Sequence, residues 1–177
     1  MVWKSNSDNT KMGDKNEKQV LDWLESIGYT GKLYRTKNGG AQIKVYSGDN
    51  RKYIYPDIEV FVNGSSVDIK YLVEVKSIRE PHLQRDDYIR NIRGEKIDKE
   101  KFGVGIHCKN FNSYMALLEN YWFDVRIVFI VESTGQWYWE EVDKLNSFRR
   151  YSENLFGDGE DCYFWRFSSL RTDFKNR

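Results

Sequence analysis

In 177 residues the chain has only two cysteines, two prolines and two histidines, and it has no apolar run long enough to cross a membrane. Cys108 and Cys162 lie far apart and in no C-x-x-C spacing, which excludes a disulfide framework or a structural zinc site of the usual kind. No signal-like apolar stretch opens the chain, and we expect a soluble, cytoplasmic protein with no membrane partner. The formal net charge is only +1, so no global field draws the protein to nucleic acid. A basic binding surface, if present, has to be local.

What the chain does have is aromatic residues, at 16%, and a length suited to one domain with a real hydrophobic core. We read residues 1–177 as a single domain, with a core over about 12–145, a charged insertion over about 79–101 and an aromatic C-terminal extension over about 146–177. From Asp14 to Ile27, the residues Val20, Leu21, Trp23, Leu24 and Ile27 follow helical spacing, and Gly28 supplies a stop. Glu17 falls four before Leu21 and seven before Leu24, on the stripe that faces the core; alternatively, Asp14 and Glu17 form a capping pair at the helix start. Short strands follow around 32–36 and 42–46, with turns at Lys37-Asn38-Gly39-Gly40 and Gly48-Asp49-Asn50. The run from Tyr53 to Phe61 reads as a strand interrupted at Pro56, which has no N–H to give a ladder.

Tyr71-Leu72-Val73-Glu74-Val75-Lys76-Ser77-Ile78 reads as a strand in which an acid and a base share one face. Either that face is the solvated side of an edge strand, or it is buried and something polar meets it there. Two registers with the preceding strand remain open. A tight turn at Asn63-Gly64 sets Asp57 opposite Lys70 and leaves Glu74 about 13 Å further along at the usual rise. A longer loop over Gly64-Ser65-Ser66-Val67 sets Asp57 opposite Glu74. Both registers give the same facing, so hydrophobic pattern does not choose.

Beyond Ile78, residues 79–101 read as a solvated, partly helical excursion, in which Arg85, Arg90 and Arg93 could line a phosphate-binding surface. A short strand is expected over 102–109, a second amphipathic helix over 112–122, and a strand buried on both faces over 125–131. Trp137-Tyr138-Trp139 pack in a sheet, a short helix follows near 142–145, and the run 163–167 is expected as a final strand or an interface element. His107 and Cys108 have no further ligand at suitable spacing and are read as structural. Glu59 and Asp68 are read as solvated or salt-bridged strand acids.

Glu17, Asp57 and Glu74 converging with Lys76 would make an oxygen-rich site for Mg²⁺ or Mn²⁺. The pattern resembles the PD-(D/E)XK nuclease superfamily. Pro56-Asp57 stands for the first half-motif, Glu74-Val75-Lys76 for the second, and Glu17 for the acid on the helix before the sheet. The resemblance spans about 14–131 and implies an α/β, restriction endonuclease-like αβββαβ core: a mixed central sheet flanked by helices. It further implies Mg²⁺-dependent hydrolysis of phosphodiester bonds as an endonuclease, with the metal on Asp57, Glu74 and the Val75 carbonyl and with Glu17 in support. The first helix lacks the histidine of some RNA-cleaving relatives, which favours DNA over RNA. Lys109, Asn112 and Tyr114 match a pattern seen where this second helix borders the cleft, and relatives of this kind also work as homodimers.

Overall fold

The computed structural model describes residues 6–34, 43–45, 52–62, 65–153 and 155–174. The expected turns at 37–40 and 48–50 and the ends of the first two expected strands lie outside these. Helix α1 (Asn6–Ser26) starts well before Asp14, because its first turns are polar and leave no apolar period to read. Asp14 and Glu17 therefore sit inside the helix and do not cap its start. Gly28, in the left-handed region at φ 92°, ends it: its N–H reaches Glu25 O and the Tyr29 N–H reaches Leu24 O, the paired bonds of a Schellman stop.

Strand β1 (Thr30–Leu33) leads to a two-stranded ribbon of β2 (Ile43–Val45) and β3 (Lys52–Ile54). The single interrupted strand expected over 53–61 is in fact two. Before Pro56 the chain belongs to the ribbon; after it, β4 (Ile58–Phe61) joins the main sheet. Strand β5 (Ile69–Ile78) follows, then α2 (Arg85–Ile92) within the charged excursion, β6 (Gly103–His107) and α3 (Cys108–Tyr121). The chain continues through β7 (Val125–Val131), β8 (Gln136–Glu141), α4 (Val142–Ser147), β9 (Arg150–Ser152) and β10 (Cys162–Arg166).

The main sheet has the order β1-β4-β5-β7-β8, with β5 and β7 parallel and the other neighbours antiparallel. In chain order α1, β1, β4, β5, α3 and β7 make the αβββαβ core, so the mixed α/β fold is the expected one. The alternation of β5 assigns its two faces. Val73 and Val75 pack toward α1 with Val20, Leu24, Ile58, Val128 and Ile130. Leu72 lies on the opposite face with Phe111, Tyr114 and Leu117 of α3 and with Ile127 and Phe129. Glu74 and Lys76 share the face of Leu72 and so point into the α3 layer.

A second sheet, β6-β10-β9, closes over α3. The aromatic run 163–167 supplies β10, with Phe164 and Trp165 buried in their own chain and the Trp165 indole donating to Leu145 O at 2.9 Å. As a candidate subunit interface that run is thus largely spent. The segment after it returns to the main sheet: Trp139 and Arg171 exchange both backbone bonds, the Arg171 guanidinium binds buried Glu140 and covers the Trp139 ring, and Phe174 packs among Trp23, Trp137 and Trp139. Arg171→Met should therefore strand a dry carboxylate. We expect a loss of about 2 kcal/mol, seen as a fall in melting midpoint of roughly 4–8 °C, with Glu140→Leu in the same chain restoring most of it.

Candidate active site

The ladder between β4 and β5 pairs Ile58 with Val73, Glu59 with Leu72 and Val60 with Tyr71. Continued one step, it sets Asp57 opposite Glu74, the longer-loop register. A bulge between Val60 and Phe61 absorbs the difference, and the loop is tied by the Ser65 hydroxyl, which accepts from the N–H groups of Val67 and Asp68 and donates to the Asp68 carboxylate. Asp68 is thus a loop-forming acid. Glu59, on the face of Asp57, is buried and accepts from the Tyr55 hydroxyl at 3.0 Å.

Because the chain enters the ladder only after Pro56, the β4-facing edge of β5 beyond Val73 is left to a side chain. The Val75 N–H donates to Asp57 Oδ2 at 2.8 Å. In an extended strand the N–H and C=O of one residue leave on the same side, so the Val75 carbonyl also faces the Asp57 edge. Glu74 is 3% exposed and forms an ion pair with Lys76, whose side chain keeps a solvent opening at 30% exposure. Acid and base stand on one buried face, and the edge-strand reading falls away.

The electrostatics report convergence. Burial pushes the Asp57 carboxyl well above its usual value, the charges of Glu74 and Glu17 push it further, and Lys76 and the Val75 N–H oppose them. For Lys76, burial works to lower the pKa, but Glu74 and Asp57, with Glu17 in addition, hold it above the usual lysine value. Glu17, although it comes from the helix on the other face of the sheet, is felt by both groups. Tyr114 is wholly buried on α3; its pKa is raised well above normal by burial first and then by Glu74 and Asp57, and its hydroxyl makes no hydrogen bond of ordinary geometry. Tyr114 is therefore part of the wall of this site and does not stand on the surface.

The structure thus brings together Glu17, Asp57, Glu74, Lys76 and Tyr114. The other candidates for nucleic-acid contact do not enter this buried cluster. Lys109 and Asn112 are exposed on α3, with Lys109 paired to Glu160; Arg85, Arg90 and Arg93 are exposed on or just after α2, where Arg85 meets Glu153 and Arg90 meets Glu95 and Asp87. His107 lies between Asp158 and Glu160, at 3.4 and 3.3 Å, against the edge of Phe156. One contributor went unread in the sequence: Asn16, 6% exposed, donates to Ser77 Oγ at 2.7 Å and so ties the helix beside Glu17 to the strand beside Lys76. The spacing Asn16, Val20, Leu24 already marks it as a polar residue on a core stripe.

Among the described residues, no three His, Cys, Asp or Glu side chains are grouped so as to hold a metal. The donors that do converge are two carboxylates, Asp57 and Glu74, and an edge where the Val75 carbonyl emerges. That set suits Mg²⁺, which takes one or two carboxylates and keeps several waters, and the excess of acids over the single lysine asks for a cation.

Sheet order and flanking helices make this a restriction endonuclease-like α/β fold. The solved structures say the same. The chain is similar to a Holliday junction resolvase from the archaeal hyperthermophile Archaeoglobus fulgidus, with 11% identity, a TM-score of 0.50, and 89% of this chain and 86% of that one covered. It is also similar to a nuclease from a fusselovirus, with 8% identity, a TM-score of 0.52, and 99% and 92% covered. No protein-family model and no curated protein matches it. No helix among the described residues is long and apolar enough to cross a membrane.

Proposed function

We propose that this chain is a metal-dependent nuclease that hydrolyses phosphodiester bonds, acting as an endonuclease on DNA. The observation that carries the reading is the register that places Asp57 against Glu74, with Lys76 ion-paired on the same face. Two structural neighbours described as a resolvase and a nuclease support it through the shared fold. Asp57, Glu74 and the Val75 carbonyl would hold Mg²⁺ or Mn²⁺, with Glu17 acting on the same charge cluster. Such an ion neutralises charge developing on a phosphate and acidifies a bound water.

The remaining roles belong to the chain itself. Lys76, held protonated by its acidic neighbours, orients the water and stabilises negative charge on the phosphate through its Nζ. Asn16 and Ser77 keep the Glu17 helix seated beside β5. The Tyr114 hydroxyl, buried beside Glu74, is placed to donate to that carboxylate and hold its orientation.

The test is incubation with supercoiled and linear DNA and Mg²⁺ or Mn²⁺, beside Asp57→Ala and Lys76→Ala. We expect nicking of closed circles that falls by about a thousandfold or more in either variant. Cleavage that survives both substitutions rejects the assignment. Degradation confined to linear ends makes the enzyme an exonuclease, and preference for single-stranded RNA moves its substrate. Sedimentation of the active species decides whether two copies act together.

A further inference from the structure

On the α1 side of the main sheet, beyond the ends of the parallel strands β5 and β7, lies a cavity of about 570 Å³ that the reaction above does not use. It is within the size range of small-ligand sites, and the carboxyl ends of parallel strands are where open α/β sheets bind ligands. Its lining is unusual for a structural void. Trp23 and Trp137 provide two aromatic walls with rings edge to face at 6.4 Å, Asn16 and Gln19 provide amides, and Lys15 stands at the exposed rim.

Glu132 makes the cavity specific. It follows directly on β7, and its backbone is fixed by the bond from its N–H to Ile78 O at 2.8 Å. Its Oε1 atom is buried without a hydrogen-bond partner. Glu132 as a whole is only partly buried and lines the cavity, which puts an acceptor on its wall for a ligand N–H.

We propose that this cavity receives one nucleobase of the nucleic-acid substrate, a base bearing an exocyclic amine, with Glu132 accepting from that amine. The proposal rests on the nuclease reading for the source of its ligand. Aromatic walls suit the π-face of a base, and the amides of Asn16 and Gln19 can both donate to and accept from its edge. Lys15 is at the mouth, where the attached phosphate would emerge. Uracil and thymine are disfavoured because their one N–H is flanked by two carbonyl oxygens that would face the carboxylate. Guanine, cytosine and adenine present an amino group instead. The pocket shares Asn16 with the bond that ties α1 to Ser77 of β5; because Ser77 and Lys76 face opposite sides of the sheet, a nucleotide held here is a neighbour of the one cut, reached where the strand runs past the end of β5.

The full chain, ¹⁵N-labelled and kept in EDTA, is titrated with GMP, CMP, AMP and UMP while its six tryptophan indole N–H signals are followed. Trp23→Phe and Trp137→Phe assign the two signals that matter. We expect those two to shift, with UMP needing about ten-fold more ligand than the amino-bearing nucleotides and Glu132→Gln removing that preference. Three results overturn the proposal: no shift of either signal, no difference between UMP and the others, or the same shifts with inorganic phosphate alone. The assay needs neither metal nor cleavage. Base-selective shifts in a protein that cuts nothing keep the pocket and reject the nuclease reading, whereas cleavage without shifts rejects the pocket alone.

Discussion

Asp57→Asn is expected to abolish cleavage and, in the metal-free protein near neutral pH, to stabilise the fold by about 1 kcal/mol, a rise in melting midpoint of roughly 2–4 °C. Burial, Glu74 and Glu17 all oppose ionisation of Asp57, whose pKa stands well above the ordinary 3.8. The folded protein therefore binds more protons than the unfolded chain between 3.8 and the raised value, and stability falls as pH climbs through that window. Above it, the charged Asp57 exacts its whole penalty. Asparagine never ionises but can still accept from the Val75 N–H, so it keeps the bond and escapes the penalty. The magnitude is held to about 1 kcal/mol because the site retains an opening to solvent at Lys76. Thermal melts of the two proteins in EDTA across pH should coincide in acid and diverge above 3.8. A constant difference at every pH would mean that Asp57 does not sit in a desolvated, like-charged cluster.

A residue whose removal stabilises the protein while ending its activity marks a site held for function at the expense of the fold. That tension was visible in the alternation of β5, where Glu74 and Lys76 fall on the face of Leu72, a fully buried leucine. The break at Pro56 was visible too: proline has no N–H to give the Val75 carbonyl opposite it, the chain leaves the ladder there, and the Val75 N–H binds the Asp57 carboxylate instead. The register was not visible. Two loops of the same parity present the same side chains to each layer, and the choice rests on the Ser65 hydroxyl and a bulge at Val60–Phe61 that no periodicity announces.

Helix starts were hidden for another reason. The early turns of α1 carry no apolar stripe, and α3 begins at Cys108 directly from β6 with no side-chain cap to mark it. Once α3 starts there, Phe111, Tyr114 and Leu117 form the inward stripe, and Tyr114 moves from the rim of a cleft to its wall. The second sheet joins β6 to β10 across more than fifty residues of intervening chain, a pairing that local pattern does not contain. The resolvase and the viral nuclease share the fold with this chain, and at identities of 11% and 8% they carry no residue-level assignment.

Lys76→Met separates a structural ion pair from a metal site. Lys76 is the cation that Glu74 and Asp57 share, and Glu74, with a side chain only 5% exposed, cannot turn to water when it is lost. Breaking a buried pair from one side strands the remaining charge, and with the partial exposure of Lys76 we expect a loss of about 2–3 kcal/mol in EDTA. The raised pKa of Lys76 keeps its own contribution whole below 10.5 and withdraws it only at higher pH, and the loss should grow with pH wherever Asp57 ionises, because Lys76 is one of the groups that favour its charged form. Glu74→Gln in the same chain should recover most of the stability, since the stranded charge is then gone. Mg²⁺ discriminates further. If Asp57 and Glu74 are metal ligands, the ion replaces the missing ammonium, and it should raise the melting midpoint of Lys76→Met by more than it raises that of the wild type. An Asp57→Asn/Glu74→Gln chain should not respond. If Mg²⁺ leaves Lys76→Met unmoved while Glu74→Gln restores it, the cluster is an ion pair that serves the fold, and the catalytic reading of β5 is lost with it.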